Sequence, residues 1–212
     1  MITKMSDIIG AFEKGITPNG YTVEATKNLK SSYSTNNYGA FFYALGKMNF
    51  FDFYEIGVLE GFAIANYALG SDVSSAKIIG VDLFEGYEYN SYSKCHVMEQ
   101  LNKLGLGKKV RLVQEDGLTY LNSNLKDIDF SKSMLHLDVS NHGELIESFT
   151  SVISYFNFIV FEGGSKERDL VPWMNKYQKK SLRKSLYNFA EENSYNLIQL
   201  PLFPSITVCI KC

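Results

Sequence analysis

From residue 50 onward the chain alternates short β-branched or aromatic runs with longer segments whose apolar positions recur at three- and four-residue spacing. The strand runs are FFDFYEIG (50–57), KIIGVDLF (77–84), KVRLVQ (109–114), SMLHLDV (133–139), FNFIVFEG (156–163), YNLIQLP (195–201) and ITVCIK (206–211). Between them GFAIANYALG, CHVMEQLNKLG and ELIESFTSVISYF carry helical period, and KKSLRKSLYNFAEEN (179–193) adds a longer amphipathic helix. Such alternation predicts an α/β, Rossmann-like fold with a seven-stranded, mostly parallel sheet and helices on both faces. PLFPS, between the last two runs, is too short for a crossover helix, so those strands should be antiparallel neighbours at one edge. Residues 1–49 have turn formers and the weakest period, which suggests an N-terminal cap segment ahead of one domain over 50–212.

Composition narrows the picture. The 212 residues are 45% hydrophobic, with 15 Phe, 14 Tyr and 1 Trp, ample material for one sizeable core. A net charge of -2 removes the broad attraction on which non-specific nucleic-acid binding depends. No run approaches a membrane-spanning length, and MITKMSDIIGAFEKG lacks the layout of a secretion signal, so a cytoplasmic protein is expected. Cys95, Cys209 and Cys212 are too few for a disulfide framework, and the C-x-x-C they end on lacks the second pair of a zinc site.

The candidate chemistry lies at strand ends, where ligands of open α/β sheets bind. The first strand closes on Glu55 and enters a turn spelled Glu55-Ile56-Gly57-Val58-Leu59-Glu60-Gly61. This is E-x-G-x-x-x-G, without the middle glycine that lets a backbone approach a pyrophosphate, and the chain has no P-loop. Glu55 and Glu60 would repel a phosphate and suit a cationic ligand. Asp82 ends the second strand 21 residues after Gly61, the spacing of an acid that binds ribose hydroxyls. Asp116 and Gly117 end the third, where an adenine amino group could be held. Ribose and adenine without pyrophosphate, plus a positive remainder, describe S-adenosylmethionine better than NAD, FAD or ATP. The plain alternative is that the three acids are strand ends and helix caps.

The order E-x-G-x-x-x-G, VDLFEGY, VQEDG and LHLDV resembles class I S-adenosylmethionine-dependent methyltransferases. Glu55-Ile-Gly-Val, Asp82-Leu-Phe84-Glu85-Gly86, Leu135-His-Leu-Asp138-Val and Phe203-Pro-Ser205 resemble, more narrowly, the macrocin O-methyltransferase group. The resemblance covers about residues 50 to 212. It implies that Glu55, Gly57 and Gly61 hold the methionine end of the cofactor, Asp82 the ribose, and Asp116 with Gly117 the adenine. It also implies a divalent metal on three acids, of which Asp138 matches the first and Glu162 stands at the second. Gly163 replaces the third, and a nearby acidic position is Ser140, so a strict metal requirement is not expected and no metal ligand is assigned.

Methyl transfer to a hydroxyl needs alignment and a base. Asp138 and His142, both just past the fourth strand, are the candidates, with a loop histidine near a helix start as the bland reading of His142. His136, between Leu135 and Leu137, is read as structural. Arg168, Trp173 and Tyr177 are candidates for acceptor contact. The expected function is methylation of a small molecule, at a hydroxyl of a sugar or secondary metabolite. Rivals are an N-methyltransferase or macromolecule methyltransferase, and a non-catalytic cofactor-binding or dimerisation module. The expected partner is a small-molecule acceptor, with no nucleic acid and no membrane; a homodimer stays open.

Overall fold

The structure is a computed structural model that describes residues 25–31, 38–48, 52–88, 90, 92–200 and 204–212. Most of the expected 1–49 cap segment, and Phe203, lie outside the described residues. The chain divides into two compact units, Met1–Gly117 and Leu118–Cys212. Of the seven strands of a mixed sheet, three lie in the first unit and four in the second.

In the first unit α1 (Tyr38–Lys47) precedes β1 (Asp52–Ile56), α2 (Phe62–Gly70), β2 (Ile78–Asp82), a 3-10 turn (Phe84–Gly86), α3 (Lys94–Lys103) and β3 (Val110–Gln114). β1 pairs parallel with β2, and β2 with β3, in a register that sets Ile56 beside Val81 and Asp82 beside Gln114. All three carboxyl ends therefore face the same way. β1 and β2 read as nearly continuous apolar runs because almost every position is buried, as parallel strands covered on both faces require. The segment expected to be irregular contains α1, whose Tyr38, Phe41, Phe42 and Leu45 are fully enclosed. Phe42 meets Phe53 of β1 edge-on at 6.5 Å, and Phe53 stacks on Tyr67 of α2 at 4.2 Å. α1 thus belongs to the core that carries β1.

The second unit begins within α4 (Gly117–Ser123) and continues through β4 (Ser133–Leu137), α5 (Gly143–Ile153), β5 (Phe158–Glu162), α6 (Lys166–Asp169), α7 (Pro172–Lys176), α8 (Leu182–Glu192), β6 (Tyr195–Leu200) and β7 (Ile206–Lys211). β4 and β5 are parallel, while β7 runs antiparallel to both β5 and β6. The reversed strand is one place in from the edge, with β6 outermost. α8 starts at Leu182 and not at Lys179 because Ser181 accepts the Lys184 N–H and caps it. The segment after β5, over which the pattern predicts no element, forms α6 and α7, opened by the Ser165 cap and by Pro172 in the first turn.

Candidate functional site

The glycine turn after β1 is bent into a tight backbone. Gly57 and Gly61 have φ of 88° and 86°, and Leu59 between them has φ 51°. Two of those left-handed positions are held by the residue that adopts them freely. The third holds a leucine whose side chain is 37% exposed, at the place where a dinucleotide fold has its middle glycine. Gly61 supplies no side-chain cap for α2. Glu55 does this from the strand: its Oε2 accepts the Ile64 N–H at 3.1 Å, placing a carboxylate at the positive end of the helix. Burial pushes the Glu55 carboxyl well above the usual range, against the pull of the Ile64 bond, and the neighbouring charge of Asp82 adds to the rise.

Asp82 fastens this turn to β2. Its Oδ2 accepts the Val58 and Leu59 N–H groups at 2.7 and 3.1 Å, and its Oδ1 accepts the Phe84 N–H at 2.7 Å and the Asn90 Nδ2 at 3.3 Å. The two acids assigned from the sequence to β1 and β2 are thus brought together around one turn. Asp116 is exposed, just beyond β3, and Glu115 N–H donates to the Asp82 carbonyl at 3.1 Å, tying the third strand end to the second. Gly117 is required by packing: a Cβ there would lie 2.1 Å from Ile56 Cγ2. Glu60 differs from its expected role as a partner for a cationic ligand. It is 7% exposed, its Oε1 lies 2.8 Å from His96 Nε2, and its Oε2 accepts the Lys30 N–H at 2.5 Å. Glu60 therefore ties the segment around Lys30 and α3 to the turn.

In the second unit, Asp138 is half-buried directly after β4 and Ser140 is exposed with φ 56°. Asn141 is buried and its Nδ2 donates to the Leu137 and Glu162 carbonyls at 2.8 and 2.9 Å, which bridges the ends of β4 and β5. His142 occupies the cap position of α5, so the helix-start reading holds, yet its ring has a second partner. Nδ1 receives the Leu145 N–H at 3.3 Å but lies 2.8 Å from Glu144 Oε2. The two contacts belong to different tautomers: Nδ1 accepts the Leu145 N–H only when unprotonated, whereas a proton on Nδ1 donates to Glu144, gives up the Leu145 bond and leaves the lone pair on Nε2. The Trp173 ring meets the His142 ring edge-on at 6.3 Å. His136 is fully buried in β4, and burial pushes its imidazole down to about 4, against opposing pulls from Asp138 and Glu162. It is neutral at ordinary pH, as its alternation with leucines suggests.

Arg168 was a candidate acceptor contact, and the structure places it elsewhere. It is 5% exposed, with Nε 2.7 Å and Nη2 2.9 Å from the two carboxylate oxygens of Glu162. Nη2 also donates to the Asn141 carbonyl at 3.3 Å, and the guanidinium sits 5.0 Å from the Trp173 ring centre. The sequence pattern does not show this fork, because it predicts no element over the segment that holds Arg168. A carboxylate ending a buried strand is the signal for such a partner. Tyr177 is 57% exposed. The metal implied by the family resemblance does not fit this donor set. Both Glu162 oxygens are engaged by Arg168, and at Gly163, with φ 92°, a Cβ would lie 2.5 Å from Leu182 Cδ2 and 2.9 Å from Arg168 Cγ. Among the described residues, no three His, Cys, Asp or Glu side chains converge to hold a metal ion.

No family model and no curated protein sequence matches the chain. Solved structures do. A methyltransferase from Geobacter sulfurreducens is 16% identical, with a TM-score of 0.62 over 100% of this chain and 98% of that one. An O-methyltransferase from Bacillus cereus solved with SAH is 15% identical, with a TM-score of 0.59 over 100% and 93%. The fold is the class I methyltransferase fold. TomG from Streptomyces achromogenes, an O-methyltransferase involved in tomaymycin synthesis and solved with SAM, shares it at 14% identity, with a TM-score of 0.60 over 91% and 88%. Among the described residues, no helix is long and apolar enough to cross a membrane.

Proposed function

We propose that this protein is an S-adenosylmethionine-dependent methyltransferase that acts on a hydroxyl of a small molecule, a sugar or secondary metabolite. The observation that carries the reading is the turn after β1, held between two carboxylates, Glu55 and Asp82, with a leucine and not a glycine at its centre. The Asp82 carboxylate at that turn disfavours phosphate and suits ribose hydroxyls, and a cationic amino-acid end would favour ionisation of the buried Glu55. The structural neighbours solved with SAM or SAH support the same cofactor. The likeness to the macrocin group and the neighbour TomG favour oxygen as the acceptor atom.

When bound, S-adenosylmethionine supplies a sulfonium methyl whose leaving group is a neutral thioether. Glu55, Gly57 and Gly61 would receive the methionine end, and Asp116 with Gly117 would border the adenine. Asp82 would accept from the ribose hydroxyls, which requires it to give up a present donor. The longest of its four bonds, from Asn90 Nδ2, is the one to yield. At the acceptor, the forming C–O bond and breaking S–C bond leave the hydroxyl proton to be taken up. Asp138 and His142 are the groups for that task, and Glu144 would hold His142 with Nδ1 protonated and Nε2 as the base, the orienting role a carboxylate has beside a general-base histidine. A screen of hydroxylated sugars and aromatic metabolites for S-adenosylhomocysteine formation tests the function. Formation with an amine acceptor alone would replace oxygen by nitrogen, and cofactor binding without turnover on any acceptor would favour a binding module.

A further inference from the structure

We propose that Arg168 is a built-in cation that does the work of a divalent metal at the ends of β4 and β5, so that this chain needs none. The inference rests on the methyltransferase reading only for the expectation of a metal, not for the geometry. A divalent ion between strand-end carboxylates has two structural effects: it neutralises buried acids and it fixes the loops that carry them. The Arg168 guanidinium does both. Its fork satisfies both oxygens of Glu162, a carboxylate that would otherwise be buried and uncompensated. Through Nη2 it holds the Asn141 carbonyl, one residue before His142, and its plane packs on Trp173, which meets the His142 ring. Asn141 then returns to the Glu162 carbonyl, so the two strand ends are closed on one another without an ion. Lysine could not do this, because one ammonium cannot span two carboxylate oxygens and stack at once. Arg168 is thus a positioning residue, acting on His142 through Asn141 and Trp173.

The test needs neither cofactor nor acceptor, so its failure would leave the methyl-transfer proposal standing. Mn2+ binding is read by electron paramagnetic resonance, and thermal stability with and without Mn2+, on the full chain and on Arg168→Ala and Arg168→Lys. The parent is expected to leave the free Mn2+ signal and its own melting point unchanged. Arg168→Ala is expected to melt lower, to deplete the free Mn2+ signal and to recover melting temperature on adding Mn2+ but not Na+. If Arg168→Ala does not fold, refolding in Mn2+ but not in Na+ gives the same support. Arg168→Lys is expected to melt between the two and to stay indifferent to Mn2+. Mn2+ binding by the parent would overturn the proposal. So would an Arg168→Ala variant that Mn2+ neither binds nor rescues, since the pair would then be a salt bridge and no more.

Discussion

Asp82 Oδ2 accepts the backbone N–H of Val58 at 2.7 Å, so the acid that ends the second strand also shapes the glycine turn that ends the first. Removing it therefore acts twice. Asp82→Ala should lower S-adenosylhomocysteine affinity about 10- to 150-fold, the worth of roughly 1.5–3 kcal/mol for hydrogen bonds to a charged group. It should also cost about 3 kcal/mol of stability through the lost turn contacts. Asn90→Ala, which removes the 3.3 Å donor to Asp82 and the acceptor of the Tyr92 N–H but none of the backbone bonds to Asp82, should leave affinity equal or raise it. Calorimetric titration and melting curves of both variants check this; an Asp82→Ala protein that binds like the parent would remove the ribose assignment.

Glu55 carries a trade between stability and binding. Its carboxyl is held well above the usual range by burial, so ionising it in the folded chain is unfavourable, and stability falls as pH rises through the window between the unfolded and folded values. Glu55→Gln keeps an oxygen for the Ile64 N–H and discards the charge. The variant should melt higher than the parent at pH 8 and bind S-adenosylhomocysteine about 10-fold more weakly, the scale of one charge-assisted bond. A variant that melts lower and binds normally would contradict both halves.

His136 gives the opposite slope. Its folded value is about 4 and its ordinary one 6.5, so between those limits the unfolded chain binds a proton that the folded chain refuses. Stability is complete above pH 6.5 and is lost as pH falls to 4, by about 3 kcal/mol for the 2.5-unit gap at 1.36 kcal/mol each. His136→Gln should flatten that loss relative to the parent, with Glu55 contributing equally to both. Urea unfolding at pH 7, 5.5 and 4 reads the difference; parallel curves for the two proteins would show that His136 does not carry it.

The His142–Glu144 pair predicts a graded effect on turnover. His142→Ala should reduce kcat about 10²- to 10⁴-fold with KM for the cofactor unchanged, the usual worth of a general base. Glu144→Gln should cost less, since it weakens the Nδ1 contact at 2.8 Å while keeping one oxygen for either that contact or the Lys180 N–H. Steady-state kinetics on both variants, once an acceptor is found, decides; equal losses in KM and none in kcat would make His142 a helix cap only.

The sheet was legible in the sequence because buried parallel strands are continuous apolar runs with few alternatives, and all seven appear within a few residues of where the pattern puts them. α1 was not, because YGAFFYALGK is apolar on every side and shows no amphipathic stripe, as expected of a helix sunk in a core. Glu55 and Asp82 could be picked out as strand-end acids, but not the bonds they make to Ile64, Val58 and Leu59, which depend on three left-handed residues, Gly57, Leu59 and Gly61, at alternate positions of the turn. The same limit hid the Glu162–Arg168 fork. Its partners are six residues apart, and the turn that brings them together passes through Gly163 and Gly164 at φ 92° and 104°. Periodicity sees elements, whereas these contacts belong to the irregular backbone between them.

The central claim is that the turn between Glu55 and Asp82 binds S-adenosylmethionine. Calorimetric titration of the purified protein with S-adenosylhomocysteine, and separately with NAD, tests it most directly. The account predicts saturable one-to-one binding of S-adenosylhomocysteine, weakened in Asp82→Ala, and no heat with NAD beyond dilution. Saturable NAD binding with no response to S-adenosylhomocysteine would contradict it.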